Sequence, residues 1–265
     1  MRYLRQVRAA LAVSTVVLLF GCTTADAGDG PADDGGGGDR SATGGSAPPA
    51  EASDGASPRV VAPPADPAAA LDLAGAVAAG PADLGDGFVP QDPFESEPTT
   101  WAVLDEGCVW RREALPDEVL ASLSRYSEHP APDARDEPLR VMSSVTVHRS
   151  TTVADERMAA TLEEGLRCPE QTLREGERIT GLRSEGAPYG VRGQLAADDM
   201  IHEGGEYHGQ GPGGPHPYLW GVARLGPVTV ALAVKGTRGY DEEDVGALLN
   251  EGLELMLSRA ESELR

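Results

Sequence analysis

Every second position from 139 to 147 is apolar or small: Leu139, Val141, Ser143, Val145 and Val147. A period of two places these side chains on one face of a β-strand. Val228, Val230, Leu232 and Val234 repeat the pattern, and Gly226-Pro227 separates them from residues 218–225. Two such runs around a tight turn predict a hairpin. Residues 107–112, 120–126, 178–184 and 196–202 carry weaker strand patterns. Elsewhere the period changes to that of a helix. Thr152 with Asp155 resembles a capping box, and Met158, Leu162 and Leu166 then recur every fourth residue. Asp241 and Asp244 make a similar start to an apolar stripe of Val245, Leu248, Leu249, Leu253, Met256 and Leu257. An alanine-rich stretch at 68–79, bracketed by Pro64, Pro67 and Pro81, adds a short helix. Together these elements predict one α+β domain over 69–265, a mostly antiparallel sheet with two prominent helices packed on it.

The first 68 residues have no such pattern. Arg2, Arg5 and Arg8 precede an apolar run at 9–20. That is the anatomy of a secretory signal peptide over 1–21, and the run is shorter than the roughly 20 residues a spanning helix needs. It closes with Leu19-Phe20-Gly21-Cys22. This resembles the bacterial lipobox, in which a small residue precedes a cysteine that receives a diacylglycerol thioether, although Phe20 departs from the usual pattern. The expected mature protein is a lipoprotein starting at acylated Cys22 and facing the extracytoplasmic side of the cell membrane; the alternative is simple secretion with Cys22 incidental. Two or three acyl chains hold a protein far more firmly than one. From Cys22 to residue 68, Gly, Ala, Ser, Pro and Asp dominate and no aromatic residue occurs, so nothing there can bury a core. It is expected to be a disordered linker.

A net charge of −21 disfavours nucleic acid and anionic head groups as partners. It favours cationic partners or metal ions, and it also serves simply to keep a protein soluble. If Cys22 is acylated, Cys108 and Cys168 remain in an oxidising compartment, where a disulfide is the expected outcome. Two free thiols acting as a redox pair or as metal ligands are the other possibility, which no C-x-x-C spacing supports.

The order of parts is a cysteine near an early strand, an alternating strand, and a helix ending in Arg167-Cys168-Pro169. Several strands follow, then a valine-rich strand and an acid-capped terminal helix. This order resembles the PknH-like extracellular sensor domain family, found as the outer domain of actinobacterial serine/threonine kinases and in related lipoproteins. The resemblance implies cysteines joined in disulfides and a cleft for an unidentified ligand. Here Cys108 and Cys168 match a helix-end pairing, the family's second cysteine pair is missing, and no kinase domain is present, so signalling would go through a partner.

Candidate chemistry concentrates in the stretch from Asp198 to His208 and in His216 beyond it. His202, Glu206, His208 and His216 are donors suited to zinc or copper. Gly204-Gly205 breaks the helix that an H-E-x-x-H site requires, so only a hairpin of the glycine segment brings the histidines together. The plainer expectation is an exposed polar hairpin with a long flexible tip, 209–217. Tyr207, Tyr218 and Trp220 flank this tip and are candidates to line a ligand cleft, or equally to be core. No G-x-S-x-G elbow or phosphate-binding glycine loop is present. An envelope hydrolase would need His148, His202 or His208 within reach of a serine or an acid. The chain is expected to be a non-enzymatic sensor or binding module without a cofactor, recognising a cell-envelope ligand or protein partner. A hydrolase with a dispersed site and a metal-binding lipoprotein are the alternatives.

Overall fold

Asp66 accepts a hydrogen bond from the Ala69 amide at 2.9 Å and Pro67 takes the first helical position, so the alanine-rich stretch folds as helix α1, Pro67–Val77. Proline suits that position because its missing N–H would be unpaired there in any case. The structure, a computed structural model, describes residues 61–133, 135–187 and 196–265. The signal peptide, Cys22 and most of the linker lie outside the described residues. After α1 come β1 (Val89–Glu95), β2 (Thr100–Leu104), β3 (Trp110–Ala114), β4 (Val119–His129) and β5 (Leu139–His148). Helix α2 (Thr151–Arg167) leads to β6 (Gln171–Arg174), β7 (Glu177–Gly186) and β8 (Asp199–His208). The chain ends with β9 (His216–Leu225), β10 (Val228–Lys235) and α3 (Glu242–Glu263).

Eight strands form one antiparallel sheet in the order β1-β4-β5-β10-β9-β8-β7-β6, while β2 and β3 pair separately. The fold is α+β, as the two periods predicted. Directly paired residues of neighbouring strands share a face, so the register sorts the side chains. The row Leu123, Val145, Val230, Ala223 and Met200 lies on one face and is buried throughout. Helix α1 packs on it over β4 and β5, and α3 over β9 and β10. Val245, Leu249, Leu253 and Met256 of α3 are each at most 3% exposed, and each such side chain stabilises the fold by about 1.5–3 kcal/mol relative to exposure. Asp241 and Asp244 cap α3 reciprocally, as the sequence implied.

The opposite face carries the row Tyr126, Met142, Ala233, Trp220, Glu203 and Ser184. Helix α2 covers part of it, with Met158 against Ile201, Val222 and Ala231. Glycine at 165 is required here. A Cβ on it would lie 2.2 Å from Ser184 Oγ and 2.4 Å from Glu203 Oε1. Gly165→Ala is expected to lower stability by about 1–3 kcal/mol, the usual range for overpacking, and urea unfolding measures it; an unchanged midpoint would show that α2 sits higher off the sheet.

Several local expectations are corrected. The cap of α2 is Ser150, whose Oγ accepts from the Val153 amide at 3.2 Å, and not Thr152, which lies inside the helix. Leu166 is 72% exposed and does not belong to the buried stripe, because its turn runs past the sheet towards Cys168. The weak strand at 107–112 begins only at Trp110. Before it the chain turns tightly at Cys108 (φ 60°), with Asp105 Oδ1 accepting from the Gly107 and Val109 amides. That turn carries the Cys108–Cys168 disulfide, with Cα atoms 5.6 Å apart, which fastens the β2–β3 hairpin to the end of α2. The tip at 209–215 is held down, since Glu137 Oε1 accepts from the Gln210 amide at 3.0 Å.

Candidate functional site

Helix α3 covers β9 and β10 but leaves β7 and β8 open on the same face. Where the helix stops, two adjoining cavities of about 590 and 510 Å³ form a trough, with Arg183, Gly204 and Leu219 common to both. Its floor is the row Leu219, Gly204 and Arg183, set side by side by the β9–β8–β7 register. Its helix wall is Glu242, Gly246, Leu249 and Asn250, whose spacings place them on one flank of α3. Opposite, the strands contribute Glu185, His202 and Glu206.

Among the described residues, the side chains of Arg183, Glu185, Glu242 and Asn250 make no hydrogen bond or ion pair. His202 Nε2 faces Met200 Sδ at 3.0 Å. Burial lowers its pKa, against an upward pull from the Glu185 carboxylate. The trough therefore presents solvent-exposed charged and polar side chains over an apolar base of Leu219 and Leu249.

The structure distributes the sequence-predicted residues unevenly. His202, Glu206 and His216 border the trough, but His202 and Glu206 lie four positions apart on β8, about 13 Å by the strand rise. His216 pairs with Tyr207 and thus belongs to the other face. His208 Nε2 meets Thr180 Oγ1 at 2.8 Å, with Glu206 Oε2 3.9 Å away. Among the described residues no three His, Cys, Asp or Glu side chains come together as a metal site. The strand register is the reason: it holds His202 and His208 six residues apart and turns His216 away.

Tyr207 and Tyr218 are 2% and 6% exposed and pack with Ile179 and Ala233 on the α2 face. Tyr218 adjoins the trough where its chain passes between Pro217 and Leu219. Burial pushes both phenols upward. The Tyr207 hydroxyl lies beside Glu177 yet makes no hydrogen bond of ordinary geometry. Trp220 is half-buried between the clusters around Tyr218 and Met158. Next to Tyr207, the Glu177 side chain is 1% exposed and is met by Lys235 at 2.9 Å, Arg140 at 3.3 Å and Arg174. Burial alone would raise its pKa; Lys235 and Arg174 outweigh that and hold it below the usual carboxylate value. The cluster is self-satisfied and structural.

Among the described residues, none of the three histidines named for a hydrolase makes a hydrogen bond with a serine or an acid, and the approach of His208 Nε2 to Glu206 Oε2 is 3.9 Å. His148 is 1% exposed, its Nε2 faces Thr229 Oγ1 at 3.2 Å, and burial lowers its pKa to about 4. Thr180 and His208 form a part-buried hydroxyl–imidazole contact, and Tyr240 OH with His129 Nδ1 at 3.3 Å is another. Just after Thr180 the β7–β8 ladder is irregular, with residues 181 and 182 out of register and the Leu182 amide donating to Pro169 O at 2.9 Å.

No family model and no curated protein matches this sequence. The structure has a partial likeness to the crystal structure of the extracellular domain of PknH from Mycobacterium tuberculosis, at 11% identity and a TM-score of 0.43, covering 73% of this chain and 97% of that chain. No described helix is long and apolar enough to cross a membrane.

Sequence inspection missed Arg183, Glu185, Leu219, Glu242, Gly246 and Asn250. A signal for one of them was present: Gly246 interrupts an otherwise strong helical pattern.

Proposed function

We propose that this protein is a lipid-anchored, extracytoplasmic binding module that recognises a cell-envelope ligand or partner without transforming it, and that the trough beside α3 is where it does so. The observation that carries this reading is the set of unpartnered polar side chains gathered around the trough's apolar floor. These side chains are exposed to solvent beside the sheet, where they can exchange water for the groups of a ligand. A module of this kind needs a pocket, a tether and no catalytic relay. The linker at 22–68 and Cys22 supply the tether in this reading. The order of elements and the Cys108–Cys168 link at the end of α2 support a distant kinship with the PknH-like sensor lipoproteins, with signalling passed to a separate partner.

A native mass spectrum of the full chain, extracted from its own envelope in mild detergent, tests this. The expected result is a chain starting at acylated Cys22 with an additional bound mass. A chain without excess mass, whose melting temperature is also unmoved by envelope extract, would overturn the binding role.

A further inference from the structure

We infer that the trough takes an extended peptide bearing two basic side chains four residues apart, and that Gly246 is the residue that keeps the helix side open for it. The inference rests on the reading above that the trough is a ligand site, and it adds the class of ligand and a specificity-determining residue.

The glycines of α2 and α3 are not equivalent. Gly165 is enforced by Ser184 and Glu203, and a Cβ on Gly252 would lie 2.7 Å from Leu232 Cδ2. A Cβ on Gly246 would meet only Leu219 Cδ1 at 3.7 Å, an ordinary contact. Alanine fits there and is much the stronger helix former. Packing therefore does not explain this glycine; the space it leaves between α3 and Leu219 does.

Charge selects the ligand. Among the described residues, Glu185, Glu242 and Glu206, whose Oε2 accepts a long 3.5 Å bond from Thr180 Oγ1, line the trough against one arginine, Arg183, within a chain of net charge −21 that draws cations towards it. Glu185 pairs with His202 across the β7–β8 ladder, and Glu206 follows His202 by four residues. The backbone positions of Glu185 and Glu206 are thus offset by about 13 Å along the strands, the span of residues i and i+4 of an extended chain, whose side chains point the same way. Guanidinium groups pair with carboxylates through two parallel hydrogen bonds, and their aliphatic stems suit Leu219 and Pro217. Arg183, at the middle of the floor opposite Gly204, repels a central basic residue and can donate to the peptide's carbonyls. A uniform polycation fits this pattern poorly.

Titration of the full-length chain in detergent at low salt with acetylated, amidated Arg-Ala-Ala-Ala-Arg is expected to show saturable binding. Glu185→Gln with Glu206→Gln, and separately Gly246→Leu, are each expected to weaken it at least tenfold. Gly246→Leu is expected to melt no lower than the parent, so lost binding is not lost folding; Gly246→Ala should bind with intermediate strength. Equal affinity for spermidine, or binding unchanged in Gly246→Leu, would overturn the inference. If the pentapeptide does not bind but Gly246→Leu removes the mass found in the native spectrum, the ligand class is wrong and the trough stands. If neither effect is seen, the binding role of the trough falls with it.

Discussion

Replacing Glu203 with glutamine is expected to stabilise the protein by about 3 kcal/mol at pH 8 and to leave it nearly unchanged at pH 4. Glu203 is 7% exposed beneath α2. Burial raises its pKa to about 7, against the lowering effect of Ser184 Oγ, which donates to it at 2.6 Å, and with a further rise from the Glu164 carboxylate. Between its ordinary value of 4.5 and about 7, the folded chain keeps a proton that the unfolded chain has released. Stability from this group therefore falls as pH rises through that window and is fully lost above it. Glutamine imitates the protonated form at every pH.

His148 acts in the opposite direction. Its pKa drops from 6.5 to about 4 on burial, so its contribution is lost as pH falls from 6.5 towards 4, and the parent's own profile is partly flattened. The difference between parent and variant isolates Glu203. Urea unfolding of both at pH 4, 6 and 8 measures it, and a variant no more stable than the parent at pH 8 would show that Glu203 is solvated rather than shut beneath α2.

Removing the disulfide, by Cys108→Ser with Cys168→Ser, is expected to cost up to about 4 kcal/mol. The two cysteines are 60 residues apart in sequence, and the unfolded chain gains the freedom of that loop. In a domain of this size each kcal/mol shifts Tm by roughly 2–4 °C, so a drop of about 10 °C is expected. Only a few other contacts would then hold the β2–β3 hairpin to the far edge of the sheet. Among these are the Trp110 Nε1 donation to Gln171 Oε1 at 2.7 Å, the Thr172 amide donation to Cys108 O at 2.9 Å, the Arg167 donation to Asp105 O at 3.4 Å, and the stacking of Arg157 5.2 Å over the Trp101 ring. Loosening of the hairpin exposes Trp101 and Trp110 to water, which shifts tryptophan emission to the red. An unchanged Tm and emission would mean that these contacts suffice alone.

Strands β5 and β10 were legible because apolar residues recur at every second position, and β9 was legible as the partner of β10 across the Gly226-Pro227 turn. Helix α3 was legible because its cap and stripe agree. Strands β1, β2 and β6 were not. Pro90 and Pro93 interrupt β1, which sits at the sheet's edge, where proline is tolerated; β2 is half-buried without alternation, and β6 has four residues. None of these has enough periodic burial to announce itself. The start of α2 was misplaced by two residues because Ser150 and Thr152 are both competent caps, and only the direction in which the chain leaves β5 selects the first.

For the candidate site the sequence alone drew attention to the right hairpin and to histidines that do border the trough. It also determined the class of fold, the burial of β10 and α3, and two cysteines free to pair, because local periodicity and composition carry those properties. Which side chains share a surface was decided by tertiary structure. The β8–β9 register sends His216 and Tyr207 to one face and His202 and Glu206 to the other. The seat of α3 over β9 and β10, and not over β7 and β8, leaves Arg183, Glu185 and Gly246 around one opening. Residues on three strands and a helix, separated by up to about 70 positions, meet there through long-range packing, and no local pattern encodes that meeting.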